Sequence, residues 1–72
     1  MPIEVGKIYI LGKRSQDYTK VKVISVKVLN KDRVVVYKDI SDNSTHIAHY
    51  SGFNMWINVK KTEELWNEEK EE

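Results

Sequence analysis

Residues 20–29 read KVKVISVKVL, and this run constrains the fold more than any other stretch of the chain. Val21 and Val23 share one phase, and the apolar phase then shifts to Ile24, Val26 and Val28. Lys20, Lys22, Ser25 and Lys27 form the complementary polar set. Period-two alternation is the mark of a half-buried strand. A one-residue slip at Val23 and Ile24 predicts a β-bulge inside one long strand. Bulged, strongly bent strands are how small sheets curl.

The neighbouring segments extend the same pattern. KIYIL (7–11) places Ile8 and Ile10 on one face, read here as the core face, and Lys7, Tyr9 and Leu11 on the other. The polar run 12–19 contains Gly12, Ser15 and Asp17 and predicts a loop. A tight connection, NKDR, leads into residues 33–39, a strand apolar on both faces and therefore central. SDNS (41–44) predicts a turn, because Asp and Asn tolerate left-handed backbone. Residues 45–50 predict a fourth strand, and Ser51-Gly52 a turn into a fifth, GFNMWINV (52–59). In that strand Phe53, Met55, Ile57 and Val59 share a core face, while Trp56 falls on the other side between Asn54 and Asn58. Thr62 followed by two glutamates predicts a helix start. Leu65 and Trp66 are placed to fold back over Trp56, with fraying beyond them caused by like-charged i,i+4 glutamates.

Five short strands, a long polar loop after the first, a bent second strand and a terminal helical turn resemble an SH3-like small barrel. The expectation is a mainly β fold, a five-stranded SH3-like barrel over residues 1–61 with an acidic C-terminal helical tail over 62–72. A second resemblance, to small uncharacterised bacterial or phage domains, rests on Gly6 and Tyr9, Val35-Val36-Tyr37 and Trp56-Ile57. Neither resemblance implies an activity, since SH3-like folds host protein, peptide and nucleic-acid binders alike.

Composition bounds the chemistry. Seventy-two residues without cysteine must be stabilised by packing alone, which suits a reducing, cytoplasmic setting. A chain of this length buries only about 60% of its unfolded surface. The N-terminal residues carry no secretion signal, and the apolar runs are far too short to span a membrane. The Lys-, Glu-, Asn- and Ile-rich composition is that of an AT-rich genome, as in a phage or mobile element. His46 and His49, three apart on a strand, point to opposite faces and do not predict a metal site. Glycine-rich phosphate loops, nucleophile elbows and thiol nucleophiles are absent. The reading is non-enzymatic, with no metal, cofactor or small-molecule substrate.

Two binding readings remain. The net charge of +1 divides unevenly, because residues 1–61 hold eleven of twelve basic residues and the tail holds six glutamates and one lysine. Lysine outnumbers arginine ten to two, which fits solubility and edge protection better than base readout. The favoured reading is a protein-interaction module or regulator with an outer aromatic surface of Tyr18, Tyr50, Phe53 and Trp56, serving a protein partner or self-association. The alternative is a nucleic-acid-binding barrel with Lys13, Arg14, Lys20, Lys22 and Lys27 on phosphates and Tyr18 or Trp56 stacking on bases.

Overall fold

The computed structural model describes residues 1–12 and 18–70. Strands β1 (Ile8–Leu11), β2 (Thr19–Leu29), β3 (Asp32–Asp39) and β4 (Thr45–His49) precede helices α1 (Tyr50–Trp56) and α2 (Val59–Lys70). The strands form one antiparallel sheet in the order β1-β2-β3-β4. The protein is mainly β, but the sheet is open and four-stranded, not a closed five-stranded barrel.

The long second strand carries the bulge at the expected place. Its pairing with β3 shifts register between Val23 and Ser25. The extra residue, Ile24, is exposed. The shift keeps Val21, Val23 and Val26 on one face although their numbers change parity. It also keeps Lys20, Lys22 and Lys27 together on the other. The hairpin closes through Asn30 and Lys31, with φ of 51° and 70°. Positive φ at both central residues of a two-residue loop matches the twist of the flanking strands. The β3–β4 turn uses side chains instead. Asp39 Oδ1 accepts the Ser41 N–H at 2.9 Å, and Asp42 Oδ1 accepts the Ser44 N–H at 2.9 Å. The Ser44 hydroxyl, also donating to Asp42, holds that exposed carboxyl below its usual range.

The segment expected as a fifth strand is α1. Residues 50–56 contain no β-branched residue, and Tyr50, Phe53 and Ile57 recur at helical spacing. Phe53 and Ile57 are buried, whereas Met55 is 70% exposed and Val59 also faces solvent. Two of the four residues expected on a core face are therefore outside it. The helix has no side-chain cap. Its seven residues are held by burial of Phe53, worth roughly 1.5–3 kcal/mol for a side chain of that kind. Only Ile57 makes a strand-like bridge, to Leu11.

The first strand is turned the opposite way from the expectation. Tyr9 is fully buried, and Ile8 and Ile10 lie on the other face. Both faces of β1 are apolar, so alternation alone does not choose between them. The tyrosine hydroxyl does. It accepts the Glu4 N–H at 2.7 Å and donates to the Pro2 carbonyl at 3.2 Å, tying the N-terminal segment across the core. Burial pushes this hydroxyl above its ordinary pKa of 10.0. Ile3, Tyr9, Val21, Val23, Val35, Phe53 and Ile57 form the core.

Helix α2 begins at Val59, one turn earlier than expected. Asn58 Oδ1 accepts the Lys61 N–H at 3.0 Å, the bond of an N-cap. Thr62 lies inside the helix, is buried, and accepts the Ile10 N–H at 2.9 Å through its hydroxyl. Trp66 rests edge-on against Tyr9, with ring centroids 5.4 Å apart, and does not cover Trp56. The Asn58 N–H donates to Ile10 O at 2.8 Å, and the Trp66 indole donates to Ile8 O at 2.6 Å. Residues 58, 62 and 66, successive turns apart, thus occupy the edge of β1 where a fifth strand would pair. No helix among the described residues is long and apolar enough to cross a membrane.

Candidate binding groove

Between α1 and the core-side ends of the strands lies a groove of about 570 Å³. Phe53 forms its floor. Leu11, Tyr37 and Ala48 supply apolar walls, and Trp56 stands at the rim. Trp56 is 56% exposed, so its ring is open to solvent. Its backbone is nevertheless fixed, because the Gly12 N–H donates to Trp56 O at 2.9 Å. Gly12 is buried with φ of 121°, a conformation that L side chains rarely adopt. Its carbonyl also accepts Asn58 Nδ2 at 3.3 Å. The end of β1 and the end of α1 are therefore clasped at one glycine, which holds the tryptophan at the mouth of the groove.

The polar groups here are few. Asp39 Oδ1 accepts the Ser41 N–H and hydroxyl. The His46 ring stacks on Tyr37 at 5.5 Å, and its Nε2 lies 2.7 Å from the Ser44 hydroxyl. No described lysine or arginine lines the groove. Among the described residues, Asp39 is the one charged residue on its wall.

The four expected aromatic residues separate. Phe53 and Trp56 share the groove. Tyr50 is half-buried elsewhere, its ring under the Arg33 guanidinium at 3.8 Å and its hydroxyl accepting the Ile3 N–H at 3.3 Å. Tyr18 lies beside Lys20, Ile40 and Ser41, with the Lys61 ammonium 5.6 Å from its ring. Leu11, Tyr37, Asp39 and His46 were not among the expected site residues. They come from three different strands, and only the sheet register gathers them. Tyr37, in the Val-Val-Tyr strand, and Leu11, opposite the expected core face of its strand, were the visible signals.

Those of the expected basic residues that the structure describes lie elsewhere. Lys13 and Arg14 fall outside the described residues. Lys20, Lys22 and Lys27 are exposed on the sheet face opposite the groove. Pairing adds Lys38, which lies directly across from Lys22. His46 faces the groove and His49 the opposite side, as their spacing requires. Among the described residues no cluster of His, Cys, Asp or Glu is gathered around a possible metal position.

Comparison with known proteins places nothing beside this chain. No family model, no curated protein and no solved structure matches it.

Proposed function

We propose that this protein is a small non-enzymatic interaction module that seats an extended segment of a partner protein in the groove under Trp56. The reading rests on one observation. A rigidly presented, half-exposed tryptophan overhangs an apolar groove whose floor is a buried phenylalanine. Tryptophan and tyrosine commonly anchor such contacts. A lone exposed apolar residue is ordinary, but a contiguous apolar concavity on a chain this small marks a binding surface.

The lining suggests the occupant. Asp39 is negative, and none of the chain's described cations reaches the groove. A large apolar side chain flanked by Lys or Arg fits this chemistry, whereas a phosphate backbone does not. The Asp39 and His46 side chains are engaged with Ser41, Ser44 and Tyr37. That leaves them as walls of the groove and not as a convergent acid–base pair.

The test is selection from a random dodecapeptide library against the intact protein and Trp56→Ala. Enrichment of peptides with an aromatic or branched aliphatic residue next to Lys or Arg, lost in the variant, is the expected result. Equal enrichment by both proteins, or none by either, overturns the reading. Sedimentation at rising concentration should show a monomer. A dimer that disappears in Trp56→Ala would assign the groove to a second copy of the chain instead.

A further inference from the structure

The sheet has a second surface whose chemistry the groove does not use. Register places Lys20, Lys22, Lys27 and Lys38 on the face turned away from Phe53. The bulge between Val23 and Ser25 is what brings Lys27 into line with Lys20 and Lys22. Without that extra residue, Lys27 would point into the core side. Lys22 and Lys38 are direct cross-strand partners, with side chains starting about 5 Å apart, an arrangement of like charges that destabilises a sheet.

None of these four lysines has an ionic partner among the described residues, where the one ion pair joins Lys7 to Glu4. Four of the five described glutamates lie on α2, which packs along β1, and the fifth is Glu4. On the face itself, among the strand residues, the one carboxylate is Asp32, at the hairpin tip. Helix α1 packs against β3 and β4 on the side of Phe53 and does not cover this surface. The result is a field of one sign with its counter-charge displaced to a neighbouring edge, which attracts a polyanion.

The surroundings of the lysines select the kind of polyanion. Strand positions on this face carry no Phe, Tyr or Trp, so the face offers no platform for unpaired bases. Trp56 is on the groove side, and the Tyr18 ring lies near Lys61. Compact ammonium groups without arginine forks contact phosphates and do not read base edges. We propose that the lysine face of β2 and β3 binds the phosphate backbone of a nucleic-acid duplex, independently of base sequence. The inference does not depend on the groove, which lies on the other side of the sheet.

The experiment is fluorescence anisotropy with two 24-base-pair DNA duplexes of unrelated sequence, between 50 and 200 mM salt. Four phosphate contacts give a slope of log affinity against log salt near −3.6, or about a 100-fold loss over that range. The two duplexes should bind alike. Lys20→Gln, Lys22→Gln, Lys27→Gln and Lys38→Gln should each flatten the slope by about 0.9, while Lys31→Gln and Lys60→Gln leave it unchanged. Circular dichroism confirms that each variant is folded, and Lys38→Arg, which keeps the charge, should retain binding. Absence of binding at 50 mM salt overturns the proposal, as does an equal effect of the control lysines. Preference for single-stranded DNA that Trp56→Ala abolishes would move the site to the groove. Binding to phosphatidylserine vesicles but not to duplexes would make the surface a membrane contact.

Discussion

Trp66 donates its indole N–H to the carbonyl of Ile8 at 2.6 Å, across 58 residues of sequence. The same ring packs edge-on against Tyr9 and carries the Lys7 ammonium at 4.5 Å. One side chain in an otherwise acidic helix therefore joins α2 to the edge of the sheet and to the core. Trp66→Ala should cost about 3 kcal/mol, the low end for truncating a buried tryptophan, because the ring is half-buried. Trp66→Phe keeps an aromatic ring and should lose about 1 kcal/mol with the hydrogen bond. Urea unfolding of both variants checks this. A neutral Trp66→Ala would mean that the helix does not dock through this residue.

Thr62 is buried, and its hydroxyl accepts the Ile10 N–H. Thr62→Val preserves the shape but leaves that donor without a partner, at a cost of about 1–3 kcal/mol. Thr62→Ser should be the milder change, since it retains the oxygen. The discriminating result is their order in a denaturant melt. A cap at the helix start would instead make Asn58→Ala the only sensitive change.

Two glycines should respond in opposite directions. Gly12→Ala forces a side chain onto a φ of 121° and loosens the clasp around Trp56, with an expected loss of about 1–3 kcal/mol. Gly52 lies in the first turn of α1, and a methyl group there meets no atom within 4 Å. Gly52→Ala should therefore stabilise the protein by about 0.4–1 kcal/mol. Paired thermal melts decide the point.

Stability should fall as pH rises above 10, with Tyr9 as one cause. Burial raises the Tyr9 pKa above 10.0, so the unfolded chain releases this proton first. Between the unfolded and folded values the unfolded state binds fewer protons, and unfolding becomes easier as pH rises. The Lys7 ammonium, held above 10.5 by its hydrogen bond with Glu4, contributes in the same direction, because its stabilisation is lost as pH rises through the folded value. Adding Tyr9→Phe to a Lys7→Gln background should flatten the remaining alkaline loss, while lowering stability at neutral pH through the lost bond to the Glu4 N–H. An unchanged alkaline slope would contradict the assignment to Tyr9.

Part of the candidate site was visible before any fold was known. Phe53 and Trp56 stood out because they are large and out of phase with one another as a strand, Trp56 sharing its face with Asn54 and Asn58. Tyr18 and Tyr50 stood out for the same reason of size, yet neither lines the groove, and each ring has a cation of the chain itself nearby. Lys38 was missed because its membership of the lysine face depends on which residue of β2 it pairs with. That pairing follows from the hairpin and the bulge together.

Strand β2 with its bulge, the central place of β3 and the turns at 30–31 and 41–44 follow from the sequence alone. Their signals are local: alternation, a one-residue slip, and residues that tolerate positive φ. The tertiary structure decided the orientation of β1 and the conformation of residues 50–57. β1 is apolar on both faces, and residues 50–57 satisfy a period of two and a helical period at once, so neither pattern excludes the other. Partners distant in sequence broke the tie. Pro2 and Glu4 engage the Tyr9 hydroxyl and draw that face inward, while Asn58, Thr62 and Trp66 take the hydrogen bonds along the edge of β1. With that edge occupied, residues 50–56 form a helix that buries Phe53, and the same turn of chain leaves Trp56 over an open groove.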